Sequence, residues 1–164
     1  MKKIFGVIGA FWGFIGISLI LLHGMSCVVP YVFSMELSNM KWYHIISLFL
    51  SIITLGYAEG YKGFQLSFSP RAAKRVNLVS KNPNFKNVVF SPLFCMGFFG
   101  ISKQRMIITY LLTLSIIFLI IIIEKMSDPW RGIIDAGVLV GLSWGLLSFW
   151  FLFSLMTSLE NAID

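Results

Sequence analysis

Charge is what this sequence has least of. Only 12% of its 164 residues are Asp, Glu, Lys or Arg, about half the share of a soluble domain. The mean hydropathy is +0.85 and 57% of the residues are hydrophobic. That balance excludes a disordered chain and an ordinary soluble domain. With two cysteines the chain is not a disulfide scaffold either. Acidic residues are the scarcest of all: there is none from Gly60 to Ile123. Also missing are G-x-x-x-x-G-K-S/T, G-x-S-x-G, H-E-x-x-H and C-x-x-C, so no catalytic constellation of a soluble enzyme is visible.

What is there instead is long apolar runs. About 20 apolar residues cross a bilayer as a helix. Ile4 to Met35 carries no Asp, Glu, Lys or Arg, and its first 19 residues are almost wholly apolar. Trp42 to Ala58 gives 17 charge-free residues, Met106 to Ile123 gives 18, and Ala136 to Leu159 gives 24. The expected fold class is therefore all-α: a multi-pass membrane protein with four transmembrane helices, forming one integral membrane domain over residues 1–164. The spans are expected at about 4–24, 42–61, 106–123 and 131–157. The first is read as a retained span rather than a cleaved signal, because its apolar run is too long and no A-x-A site follows it.

Orientation follows from Lys and Arg, which gather on the cytoplasmic side. With four spans, Lys2, Lys3 and the eight cations between Lys62 and Arg105 fall on one side, and only Lys41, Lys125 and Arg131 on the other. Both termini are expected in the cytoplasm of a cell-membrane protein, with a basic cytoplasmic segment over about 62–105. Trp42, Tyr43 and Trp130 then sit at the outer interface, and Tyr57, Tyr61 and Trp150 near the inner one. Cys27 and Cys95 lie on opposite sides and cannot pair.

Small residues predict the packing, because close backbone approach replaces the hydrophobic drive in lipid. Gly6, Gly9, Gly13 and Gly16 share one face of span 1. Gly137, Gly141 and Gly145 share one face of span 4. The expectation is that spans 1 and 4 pack together on these faces; the alternative is a homo-oligomer built through one of them. On span 2, Ser47, Ser51, Thr54 and Ala58 share one face, its hydroxyls read as bonding their own backbone or a neighbouring helix rather than as an ion path.

The basic segment contains Phe-Ser-Pro twice, at Ser69-Pro70 and Ser91-Pro92. Ser before Pro is a helix-start signal. A short amphipathic helix is expected from Pro70 to about Ser80, with Ala72, Ala73, Val76 and Val79 toward the membrane and Asn82-Pro83-Asn84 ending it. A second segment, Pro92 to Ile101, is too short to span and is expected to be re-entrant or interfacial. The free amides of a helix opened at Ser69, together with Arg71, Lys74 and Arg75, would form a site for an anion, most simply a lipid phosphate.

Glu59, Lys62 and Gln65 are polar-pocket candidates at the inner end of span 2, with Arg71 as a further lining residue and an ion pair between Glu59 and Lys62 as the structural alternative. At the outer end of span 4, Asp128 is expected to cap and Pro129 to open the helix. Asp135 then lies about 9 Å inside, four residues after Arg131, and both are further pocket candidates, with an ion pair to an outward-snorkelling Arg131 as the structural alternative. His23 and His44, with Met25, Cys27, Met35 and Met40 nearby, would suit haem or a metal; no cofactor is assigned. The expected function is a non-enzymatic, accessory or lipid-interacting membrane protein. Its expected partners are the bilayer, anionic lipid headgroups and a membrane protein partner or a second copy, but no nucleic acid. The alternative is a small oligomeric transporter.

Overall fold

The protein is described from a computed structural model, over residues 2–36 and 40–161. It is all-helical, 87% helix, with no strand among the described residues. Helix α1 spans Lys2–Phe33. One uninterrupted helix, Trp42–Lys81, follows in three parts: α2 (Trp42–Leu55), a π-helical segment (Gly56–Phe68) and α3 (Ser69–Lys81). Two short helices, α4 (Phe85–Val89) and α5 (Ser91–Met96), turn back beneath α1. Helices α6 (Lys103–Glu124) and α7 (Trp130–Asn161) complete the chain. Four helical stretches are long and apolar enough to cross a membrane: Ile4–Phe33, Trp42–Lys81, Lys103–Glu124 and Trp130–Ser158.

The helix does not restart at Ser69-Pro70. The Ser69 amide donates to the Phe64 carbonyl, five residues back, so it is not a free N-terminal amide. A proline inside a helix removes one hydrogen bond and presses its ring on a carbonyl of the preceding turn. The wider π turn immediately upstream accommodates that ring and lets the helix continue. Asn82-Pro83-Asn84 does end it, and the Asn82 amide bonds back to Leu78.

The apolar face of α3 is as expected but covers something else. Ala72, Ala73 and Val76 are completely buried and Val79 nearly so, against α1, α5 and α7 rather than toward lipid. The reason is the glycine face of α1. A Cβ at Gly9 would lie 2.8 Å from Val79 Cγ1, and one at Gly13 2.5 Å from Ser91 Oγ; Gly6 meets the Ser80 carbonyl and Gly16 the Pro92 ring. Span 4's glycine face is filled separately. A Cβ at Gly137 would stand 2.8 Å from the Ser51 carbonyl oxygen, and one at Gly145 2.5 Å from the Phe64 ring. The two glycine faces thus do not meet each other, and neither is free for a second copy.

Helices α1 and α7 do pack together, antiparallel, but through aromatic rings. Phe14 stacks on Phe149 at 5.3 Å and on Phe153 at 4.4 Å. Trp150 Nε1 donates to Ser18 Oγ at 3.0 Å, an interhelical bond worth about 0.6 kcal/mol in such settings. Helix α6 stands apart. Only Ile123 of its 22 residues is buried. Its first turns touch the bend after α5, where Phe98 meets the Tyr110 ring edge-on at 5.4 Å. The segment Pro92–Ile101 is neither a span nor one helix: α5 ends at Gly97, whose φ of +93° is left-handed and suits only glycine without strain.

Close approach of backbone to backbone should be the costliest feature to disturb. Gly6→Ala and Gly137→Ala each drive a methyl into a carbonyl that cannot move aside. They should lower the melting temperature in detergent by an amount corresponding to about 1–3 kcal/mol. Gly24→Ala, whose new methyl would meet Leu142 at an ordinary 3.5 Å, should leave it unchanged.

Candidate functional site

The seam between the π segment and α7 gathers most of the polar candidates. A π turn holds more residues than an α turn, and such segments recur at functional positions. Glycine allows the two backbones to close on each other here. A Cβ at Gly60 would be 3.0 Å from Trp144 Cβ, and one at Gly141 3.2 Å from Glu59 Cβ. Glu59 therefore lies against Gly141, with Oε2 3.4 Å from that same point. No hydrogen bond or ion pair reaches its carboxylate among the described residues. Gln65 accepts a hydrogen bond from Trp144 Nε1 at 2.6 Å. The Lys62 ammonium sits 5.4 Å from the centre of the Tyr57 ring instead of pairing with Glu59. Tyr57 and Tyr61, one after the other on the same helix face, stack at 5.7 Å. No family model, curated protein or solved structure matches the chain.

Arg71 is not part of that pocket. Its Nε donates to the Ser67 carbonyl, one turn back on its own helix, and the rest of its guanidinium faces outward with Lys74, both exposed. Arg75 is separated from them by its hydrogen bonds. Its guanidinium donates to the carbonyls of Phe94, Phe99 (3.3 Å) and Gly100 (2.9 Å) and lies 4.4 Å over the Phe94 ring. One planar fork thus satisfies three carbonyls at the end of α5, a task a lysine point charge cannot reproduce. The three cations read as one anion site divide into two that face out and one that fastens the bend.

At the opposite end, Arg131 and Asp135 form an i,i+4 pair at 3.8 Å, and Asp135 is only 5% exposed. Arg131 lies flat on Tyr31 of α1, 3.4 Å from the ring centre, which turns it inward rather than out along the helix. Helix α7 opens one residue later than expected: Pro129, following a cis bond to Asp128, offers its carbonyl to the Ile133 amide in place of an Asp128 cap. His44 is buried beside Trp130, their rings edge-to-face at 5.2 Å, and its Nδ1 accepts the Lys41 amide at 3.3 Å. His23 is exposed beside Cys27 at 3.9 Å. Among the described residues no group of three or more His, Cys, Asp or Glu is placed to hold a metal.

The hydroxyl stripe divides as well. Thr54 bonds its own helix at Leu50, 2.7 Å away, whereas Ser51 Oγ is buried at Gly137 with no partner. Sequence reasoning missed Trp144 and the Tyr57–Tyr61 ladder as a single surface. The i,i+4 spacing of the tyrosines was a usable signal; the pairing of Gln65 with Trp144, 79 residues apart, had none.

The Arg75 clamp has a chemical reporter. Cys95 is buried beside Ser91 at 3.8 Å, and burial pushes its thiol up to about 11 despite the opposing Ser91 bond and Arg75 charge. The thiol is therefore protonated at neutral pH. In a Cys27→Ser background, maleimide labelling of Cys95 should be slow at pH 7 and rise about tenfold per pH unit up to pH 10, without a plateau. Arg75→Lys should release the α5 bend and speed labelling at pH 7.5 several-fold; an unchanged rate would mean the three carbonyl bonds do not hold it.

Proposed function

We propose that the protein is a non-enzymatic, lipid-interacting membrane protein of accessory type, whose basic inner end engages anionic headgroups. Four helices long and apolar enough to cross a membrane suggest membrane association. The observation that carries the rest is the two-sided character of α3. One side, Ala72, Ala73 and Val76, is wholly buried; the other presents Arg71 and Lys74 outward. The cations are thus held in place on an anchored helix rather than on a loose loop. Lys62, Lys81, Lys86, Lys103 and Arg105 are exposed on the same connecting region, with no acidic residue among them. Each such cation gains about 1 kcal/mol near an anionic leaflet.

In this reading the bilayer covers about 20 residues of each span inward from Trp42 and Trp130. Met35 and Tyr31 pack at Gly132, so the embedded part of α1 lies at about 11–31 rather than at 4–24. Its first turns, clasped by α3, α4 and α5, belong to the cytoplasmic interface, and both termini face the cytoplasm. Helix α6, apolar and nearly free of protein contact, is covered by lipid.

The test is lipid retention by the purified protein in an equimolar mixture of phosphatidylglycerol and phosphatidylcholine. The wild type should retain phosphatidylglycerol preferentially, and Arg71→Gln with Lys74→Gln should cut that preference several-fold. Equal retention of both lipids by the wild type would refute the reading.

The transporter alternative has one specific observation in its favour: Glu59, within a stretch long and apolar enough to cross a membrane and without a hydrogen-bond or ion-pair partner among the described residues. Unpaired ionisable groups within membrane spans mark ion pathways. Proton flux in proteoliposomes that Glu59→Gln abolishes would establish it.

A further inference from the structure

We infer that the groove between the α2–π junction and α7 binds one acyl chain of an anionic phospholipid, with the lipid phosphate held at Lys62. The inference rests on the lipid-interacting reading and names a site within it that the basic face of α3 does not include.

The groove runs beside Gly56, which has no side chain. A methyl there would come 3.3 Å from Val140 Cγ1, so the helices close on each other at that point, and a shallow hollow of about 460 Å³ runs beside the contact. Its walls are Ile52, Ile53 and Val140, and further along Tyr57, Tyr61 and Trp144. Ile53, Tyr57 and Trp144 are 66%, 54% and 48% exposed, so the hollow opens sideways. In a bilayer that side is hydrocarbon. Helix α6, the remaining element, contributes no residue to the walls of the hollow. An apolar slot open to hydrocarbon takes an acyl chain rather than water.

The two ends of the groove differ in kind. Toward Ile52 it is purely aliphatic. Beside the Tyr61 end stands a cation, Lys62, poised over the ring of the lining residue Tyr57. The stacked Tyr57 and Tyr61 add two phenol hydroxyls that have no protein hydrogen bond among the described residues. Trp144 is fastened at that end by Gln65. The nearest acid, Glu59, is turned into the seam against Gly141, so the groove mouth is positively charged. Lys62 stands 20 residues along the helix from Trp42, a little under about 30 Å, which is the hydrocarbon thickness. That is the depth of an inner-leaflet phosphate. An aliphatic slot ending in a cation and two free hydroxyl donors at headgroup depth complements an anionic phospholipid from tail to head.

The probe is phosphatidylglycerol, unlabelled or carrying a diazirine in its acyl chain, with phosphatidylcholine of the same chains for comparison. Native mass spectrometry of the full chain in detergent should show one phosphatidylglycerol retained per chain. Ile53→Trp, at an exposed position, fills the slot and should reduce that retention about tenfold with an unchanged melting temperature. Lys62→Gln should abolish the preference over phosphatidylcholine at this groove, read from crosslinks on its lining residues, while leaving an acyl chain bound there. Diazirine crosslinks should fall on residues 52–61 and 140–144. If Ile53→Trp retains lipid like the wild type, or if crosslinks fall only on α6, the groove inference is overturned. If in addition the Arg71→Gln, Lys74→Gln variant loses the preference, the lipid reading stands without this site. If the wild type shows no preference at all, both fall.

Discussion

Backbone contact at glycine is the constraint on which the rest of this structure depends. Between helices whose outer faces are this apolar, close approach comes from the absence of side chains. Helix α1 uses Gly6, Gly9, Gly13 and Gly16 to take in α3, α4 and α5, and α7 uses Gly137, Gly141 and Gly145 to take in α2 and the π segment. The long helix Trp42–Lys81 is common to both, so its upper part is fastened to α7 and its lower part to α1. The Phe14–Phe149–Phe153 stack then closes α1 on α7. Three rod-like elements are locked pairwise in this way, while α6, with one serine and no glycine in its 22 residues, has no such face and stays outside.

The π segment turns that packing into chemistry. It lies directly before Pro70, and the helix continues through both. Helix α3 is thus the rigid continuation of a span, and Arg75 reaches across to fasten the α5 bend through three carbonyls. The same segment sets Glu59, Tyr57, Tyr61, Lys62 and Gln65 at distinct angles around one axis. Glu59 turns into the seam, Gln65 holds Trp144, and the tyrosines with Lys62 edge the groove.

Much of this was legible in the chain. Apolar run lengths located the four helices long and apolar enough to cross a membrane, because a bilayer demands about 20 apolar residues. The period of Ala72, Ala73, Val76 and Val79 located the buried face of α3, and i,i+4 spacing located the Arg131–Asp135 pair. Less of the site was legible. Arg71, Lys74 and Arg75 look equivalent in sequence, since all three are cations on one helix. Only the position of the Phe94–Gly100 bend separates Arg75 from the others.

The sequence by itself determined which residues want to be buried, which want to be close to backbone and which carry charge. These are local properties of side chains. It did not determine which neighbour meets which face. Two glycine stripes on spans 1 and 4 read as complementary to each other, and a glycine face accepts any smooth partner of suitable shape. The choice was made by geometry that no local signal encodes. Continuity through Pro70 carries α3 beneath α1 before α7 is reached, and α7 then finds its glycine face opposite Ser51, Leu55, Glu59 and Phe64. Tertiary structure decided the partners because close packing depends on shape and on what arrives beside it, and both are properties of the whole chain.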